Sequence, residues 1–439
     1  MPHPLENKIK QKTASIGIIG LGFVGLSLLD ALGRAGFPLL GYDRNAHKIE
    51  KLQKGKSYIS CLDCTELYER ISKKQCRVDS DPSLLAEADI FIIAVPTSLD
   101  SHKAPDLSKI KSAAHTIAKY LKQGSLVIVQ STSFPGTTEE IILPILQESH
   151  LKAGQDFHLV FIPEISDFGT FNLTFKEIPK VIGGLTKTCF DLAKLLYQNI
   201  TSEVVYCSSP KVAEAAKILQ NAYRLVNISL INEMKILFDR MHIDIWEVID
   251  AAAKKPFGFT PFYPGPGIGG DCIPVDPYYL IWKAKETDGP ISLIELAGNI
   301  NDSIPHFVIE KIIAALALDK KTLSDANILI LGASFKKDIN DIRESCSLKI
   351  LSLLQQLGTN LSYHDPYIPM IVPSARYPHL HMQSILLDYK TLSQYDCVVI
   401  LTDHSCYDWK AIGVNSKRIV DTHNVTNSIK EAKGKVVKA

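Results

Sequence analysis

From Ser15 onward the apolar positions fall into short blocks separated by turns. Ile16-Gly17-Ile18-Ile19 reads as a buried strand, Leu26 to Ala35 has helical spacing, and Leu39-Leu40-Gly41-Tyr42 reads as the next strand. Further apolar runs at Ile90 to Val95, Leu126 to Gln130 and His158 to Ile162 alternate with helical stretches, which predicts a parallel sheet covered on both faces. At Ser209-Pro210 the pattern changes. An N-cap followed by proline at the first helical position opens a stretch without Pro or Gly that keeps helical periodicity to about His242, and it predicts one unusually long helix. More helices are expected at Ile245 to Lys254 and Ile294 to Leu318. Between them Pro256 to Pro274 is too broken for regular structure and too apolar for a free linker, a combination common in functional loops.

The α/β theme returns at Asn327 to Gly332, with a helix from Ser345 to Leu357 and strands at Leu361 to Tyr363 and Cys397 to Leu401. The expected fold is therefore α/β, with two Rossmann-like doubly wound parallel-sheet domains joined by a helical domain built on the long central helix. The boundaries fall at 1–209, 210–321 and 322–439, a division that suits a chain of 439 residues.

Charge changes this picture little. Lys and Arg total 48 against 47 for Asp and Glu, so no basic field is available to hold nucleic acid or an anionic membrane, and any phosphate must be captured locally. No apolar run reaches the length of a membrane span, and Met1 to Thr13 lacks the apolar stretch of a signal peptide, which points to the cytoplasm. Nine scattered cysteines argue against a disulfide framework. Cys61 and Cys64 form a solitary CxxC without the remaining ligands of a tetrahedral site, so no metal centre is expected.

Two stretches carry candidate chemistry. Gly20-Leu21-Gly22-Phe23-Val24-Gly25 is a GxGxxG between a predicted strand and a predicted helix, where glycines and free N–H groups suit a pyrophosphate. Asp43, at the end of the next strand, can accept from ribose hydroxyls and would repel a 2′-phosphate, favouring NAD, with Arg44 beside it leaving NADP open. Pro96, Thr97, Ser131 and Thr132 stand at later strand ends, where cofactor contacts are expected. In the loop Gly265 to Pro277, Cys272 follows a run of glycines and precedes a new helix, a setting for an accessible thiolate. On the long helix, Lys217, Asn221 and Arg224 share one face and could stabilise an oxyanion and a phosphate.

From Ser15 to Val425 these motifs resemble the UDP-glucose/GDP-mannose dehydrogenase family. The likeness rests on GLGFVG, Val95 to Ser98, Ser131 to Thr138, Pro163-Glu164, Lys217 to Glu233, Gly265 to Pro277 and Gly332 to Ser345. The loop Pro256 to Gly267 is most similar to the branch oxidising UDP-N-acetylhexosamines, UDP-N-acetylglucosamine above all.

The resemblance implies a two-step NAD-dependent oxidation of the sugar C6 alcohol to a carboxylate through a thioester on Cys272. Lys217 and Asn221 would stabilise the oxyanion, Glu164 would activate the hydrolytic water, and Asp276 would assist proton transfer. Lys336, Arg224, Tyr263, Gly265 and Gly269 are implied on the UDP-sugar side and Arg343 at the cofactor; the long helix is expected to pair with its copy in a homodimer or higher homo-oligomer. Three departures stand out: Ile165 and Phe168 alter the segment after Glu164, Asp271 puts a carboxylate beside the thiol and disfavours its thiolate, and His423 replaces an arginine. These motivate a rival reading as an impaired nucleotide-sugar binding protein. A two-domain hydroxyacid dehydrogenase, the other rival, would need neither Cys272 nor the third block.

Overall fold

A computed structural model of the chain describes residues 3–59, 64–100, 102–165 and 175–439. Cys61 and Phe168 lie outside them, so the CxxC and the second change after Glu164 remain sequence features. The chain folds as two compact units, one of Met1–Gln220 with Tyr278–Gly289 and one of Asn221–Pro277 with Pro290–Ala439. The stretch 210–321, expected as a separate middle domain, is divided between them.

The first unit is organised on an eight-stranded sheet: β1 (Ile16–Ile19), β2 (Leu39–Tyr42), β3 (Cys76–Asp79), β4 (Ile90–Ile93), β5 (Leu126–Val129), β6 (His158–Phe161), β7 (Lys180–Gly184) and β8 (Val204–Cys207). Its order is β8-β7-β6-β5-β4-β1-β2-β3. Both faces are buried, as the continuous apolar runs require. In β4, Ile90 and Ile92 join the core on one side while Phe91 and Ile93 join the core on the other. The expectation of a parallel sheet holds from β3 across to β6 and fails at the next strand. There β7 runs antiparallel to β6, pairing Phe161 with Gly183 and Val160 with Gly184, and β8 follows β7 in parallel. Helix α1 (Phe23–Arg34) follows β1.

Helix α2 (Pro210–Arg240) is the long helix, 31 residues, capped as expected by Ser209, whose Oγ accepts from Val212 N at 3.3 Å. The helices α3 (Ile245–Ala252), α4 (Asp276–Glu286) and α5 (Ser292–Ala317) follow, the last running through Pro305. The second unit is organised on a five-stranded parallel sheet of β9 (Asn327–Leu331), β10 (Asn360–His364), β11 (Cys397–Ile400), β12 (Ile419–Asp421) and β13 (Val436–Lys438), in the order β10-β9-β11-β12-β13. It too has a core on each face, with Ile328 and Ile330 on one side and Leu329 and Leu331 on the other. No helix among the described residues is long and apolar enough to cross a membrane.

Candidate active site

The glycines of the first turn have different duties. Gly20 takes φ +95°, a left-handed conformation, and a Cβ there would stand 2.7 Å from the Ala94 carbonyl oxygen. Gly25 lies inside α1, where a Cβ would fall 2.0 Å from the Gly20 carbonyl oxygen. Only a residue without a side chain lets the helix close on the turn. At Gly22, the N-cap of α1, nothing lies within 4 Å of the Cβ position, so its face is open. The first turn of α1, with the backbone N–H groups of Phe23 and Val24, begins at that open face.

Asp43, buried just past β2, fastens the turn: Oδ2 accepts from Leu21 N at 2.9 Å and Lys48 Nζ at 3.1 Å, and Oδ1 from Asn45 N at 2.9 Å. Arg44 beside it is exposed. An open glycine face, a helix N-terminus and a fixed carboxylate at the next strand end fit a dinucleotide.

At the ends of β4 and β5 the side chains tie two loops together. Thr97 Oγ1 donates to the Thr132 carbonyl at 2.6 Å, and Ser131 Oγ donates to the Val95 carbonyl at 2.6 Å, with Pro96 between. The loop after Ser131 is anchored by a residue that sequence reasoning missed. Glu214, buried in the second turn of α2, accepts from Gly136 N at 2.5 Å, Thr138 N at 2.8 Å and Thr138 Oγ1 at 2.6 Å. Burial pushes its carboxyl pKa up, and these hydrogen bonds oppose the shift without cancelling it. The available signal was an acid at the start of a helix whose neighbours are alanine and valine.

Glu164, nine-tenths buried beyond β6, accepts at Oε1 from Lys180 Nζ at 2.8 Å and from Ile165 N at 3.0 Å.

In the second unit the glycine loop presents Cys272 as an exposed thiol. Its carbonyl accepts from Asp276 N at 2.7 Å, and the buried Asp276 carboxylate accepts from Asn221 Nδ2 at 2.5 Å. Of the expected catalytic residues, Cys272, Asp276 and Asn221 are thereby linked on this unit. Cys272 Sγ donates to Asp271 Oδ1 at 3.6 Å, and the other Asp271 oxygen is ion-paired with Arg343. Arg343 Nε also reaches both Asp341 oxygens at 3.0 Å. The carboxylate set beside the thiol by sequence thus has a guanidinium to offset its charge.

Gly270 takes φ +89° and its N–H donates to the Arg343 carbonyl at 3.1 Å, while a Cβ on Gly269 would strike Phe335 Cβ at 2.6 Å. Gly265 N donates to Asn232 Oδ1 at 3.1 Å, with the His423 ring 3.8 Å from where a Gly265 Cβ would stand. Tyr263 stacks on Trp246 at 5.5 Å and Lys336, next to Phe335, is half-buried. On α2, Lys217 and Asn221 are buried and Arg224 is exposed, so the shared face is not uniformly solvated.

Three family models match consecutive parts of the chain. They describe the UDP-glucose/GDP-mannose dehydrogenase family, with the NAD binding domain at 14–201, the central domain at 211–303 and the UDP binding domain at 329–428. The chain belongs to this family. It is an NAD-dependent nucleotide-sugar dehydrogenase.

Among its relatives, a UDP-N-acetyl-D-glucosamine 6-dehydrogenase of Pseudomonas aeruginosa is 35% identical over 81% of this chain and 84% of its own length. An NDP-N-acetyl-D-galactosaminuronic acid dehydrogenase of Ralstonia nicotianae is 32% identical over 94% of this chain and 96% of its own. The solved structure of a UDP-D-ManNAc dehydrogenase from Pyrococcus horikoshii superposes with a TM-score of 0.85 at 29% identity, covering 97% of this chain and 98% of that one. In this member of the UDP-glucose/GDP-mannose dehydrogenase family the NAD expected from GxGxxG and Asp43 agrees with the first family model, and the UDP-sugar expected as substrate agrees with the third.

Proposed function

We propose that the chain oxidises the C6 alcohol of a UDP-N-acetylhexosamine, UDP-N-acetylglucosamine foremost, to the uronic acid through a thioester on Cys272. The observation that carries this reading is the linked set Cys272, Asp276 and Asn221: an exposed thiol on a glycine loop, with a buried carboxylate held one helical turn away by the amide of α2. Two hydrides leave C6 in turn, and NAD supplies the acceptor for each when bound. Asp276 assists removal of the alcohol proton, and the Cys272 sulfur adds to the resulting aldehyde. Lys217 and Asn221 stabilise the oxygen that becomes negative, and Glu164 takes a proton from the water that releases the acid. Arg224, Tyr263, Gly265, Gly269 and Lys336 are assigned to the UDP-sugar, and Pro96, Thr97, Ser131, Thr132 and Arg343 to the cofactor.

The choice of an N-acetylhexosamine rests on the Pro256 to Gly267 loop and on relatives named for three such sugars. We also infer a homodimer built on α2, because Leu219, Tyr223, Leu230 and Leu237 recur along that helix at exposures of 69%, 51%, 48% and 46%. NADH release with UDP-N-acetylglucosamine, UDP-N-acetylgalactosamine, UDP-N-acetylmannosamine and UDP-glucose tests the substrate reading. The expected result is two NADH per UDP-N-acetylglucosamine consumed. Preferred turnover of another sugar would move the assignment to that sugar, and binding without turnover would favour the impaired binding protein.

A further inference from the structure

The feature that the chemistry above leaves unexplained is a lysine placed at the start of a core strand. Lys180 opens β7, is wholly buried, and its backbone pairs with Val204 of β8. Its position follows from the reversal of β7. The antiparallel pairing of Phe161 with Gly183 turns the start of β7 back toward the segment just past β6, which carries Glu164. The ammonium meets the carboxylate at 2.8 Å, and the Phe175 ring lies 3.9 Å from Nζ on another side.

We propose that Lys180 is a positioning residue for hydrolysis of the thioester: it keeps the Glu164 carboxylate ionised and fixes its plane toward the water that attacks. This rests on the reading of Glu164 as the base and deepens it. A buried ion pair is weak evidence for stability, since an apolar pair of similar volume packs as well or better. A general base, by contrast, must be ionised at neutral pH, and a carboxylate nine-tenths buried without a cation would hold its proton. Residue 165 offers only its N–H, because its side chain is isoleucine. Tyr197, fully buried, also faces Glu164; burial, and then the Glu164 charge, raise its pKa well above the ordinary phenol value, so it stays neutral, whereas Lys180 brings a positive charge to 2.8 Å. In the step itself the water oxygen bonds to the acyl carbon, one water proton passes to Glu164, the C–S bond breaks and the sulfur of Cys272 departs as thiolate.

The test uses the full chain with NAD and UDP-N-acetylglucosamine, following steady-state NADH release against pH and the mass of the protein after acid quench. K180M should lower turnover about tenfold or more at pH 7, recover as pH rises, and accumulate a Cys272 acyl adduct, while keeping the NADH burst of the first turnover. K180R should stay within about threefold of the parent chain with its acid limb in place and no adduct. K180M with an unmoved acid limb and no adduct overturns the proposal. Should K180M fail to fold, K180R carries the test, and an acid limb displaced by about one unit or an accumulated adduct overturns it. E164Q separates the two layers: its normal turnover removes the base assignment and the Lys180 role together, whereas E164Q that stalls as the acyl adduct beside an unaffected K180M removes only the latter.

Discussion

Gly22 and Gly25 sit three residues apart in one turn, yet the same added methyl should have opposite consequences. At Gly22 the backbone has φ −80° and ψ −161°, which alanine adopts freely, and nothing lies within 4 Å of the new Cβ. G22A should therefore leave the fold unharmed or stabilise it by about 0.4–1 kcal/mol through the unfolded chain. Its methyl occupies the open face by which a pyrophosphate approaches the helix N–H groups. Each hydrogen bond to a charged group lost there is worth roughly 1.5–3 kcal/mol, a weakening of NAD on the order of ten- to a hundredfold.

At Gly25 the methyl would meet the Gly20 carbonyl oxygen at 2.0 Å, and the obstacle is backbone that cannot swing aside. A shift of about 1 Å is required, costing roughly 1–3 kcal/mol as overpacking, so G25A should lose both thermal stability and NAD affinity. Calorimetric titration with NAD and thermal unfolding of the two variants form the assay. G22A binding NAD within about twofold of the parent chain, or G25A unfolding at the parent temperature, would refute the assignment of separate duties to these glycines.

Three further outcomes are expected. C272S should abolish uronic acid formation while NAD affinity, measured by titration, changes less than about threefold, because the cofactor turn and the thiol lie on different segments. L219E combined with L230E should shift the sedimentation profile from dimer to monomer, since each puts a charge into the apolar stripe of α2. Lys235, buried on α2, has no hydrogen-bond partner for Nζ among the described residues; burial, opposed by Asp421 and Asp239 and aided by Lys311, pushes its pKa down to about 7. Between that value and the ordinary lysine range the unfolded chain binds a proton that the folded chain refuses, so this group's destabilising effect is full below about pH 7 and fades as pH rises. K235M should raise stability by on the order of 3–5 kcal/mol at or below neutral pH, with the gain shrinking toward pH 10, as denaturant titrations at several pH values would read.

Local pattern determined the elements because each obeys a short-range rule. The absence of Pro and Gly after Ser209-Pro210 specified a 31-residue helix, four-residue apolar runs specified strands buried on both faces, and GxGxxG between strand and helix specified the dinucleotide turn down to the glycine that must lack a side chain. The pairing of elements lay beyond that range. Strand direction depends on how a connection returns, and the reversal of β7, which no period in Lys180 to Gly184 announces, puts a lysine against Glu164. Asp271 read as an unopposed carboxylate because Arg343, its partner, stands far away in the chain, and Glu214 went unmarked because the amides that it fastens belong to another loop. Sequence thus specified which groups are present and on what local scaffold, while tertiary structure decided which charges offset one another, since ion pairs and hydrogen bonds act over a few ångströms of space whatever the separation along the chain.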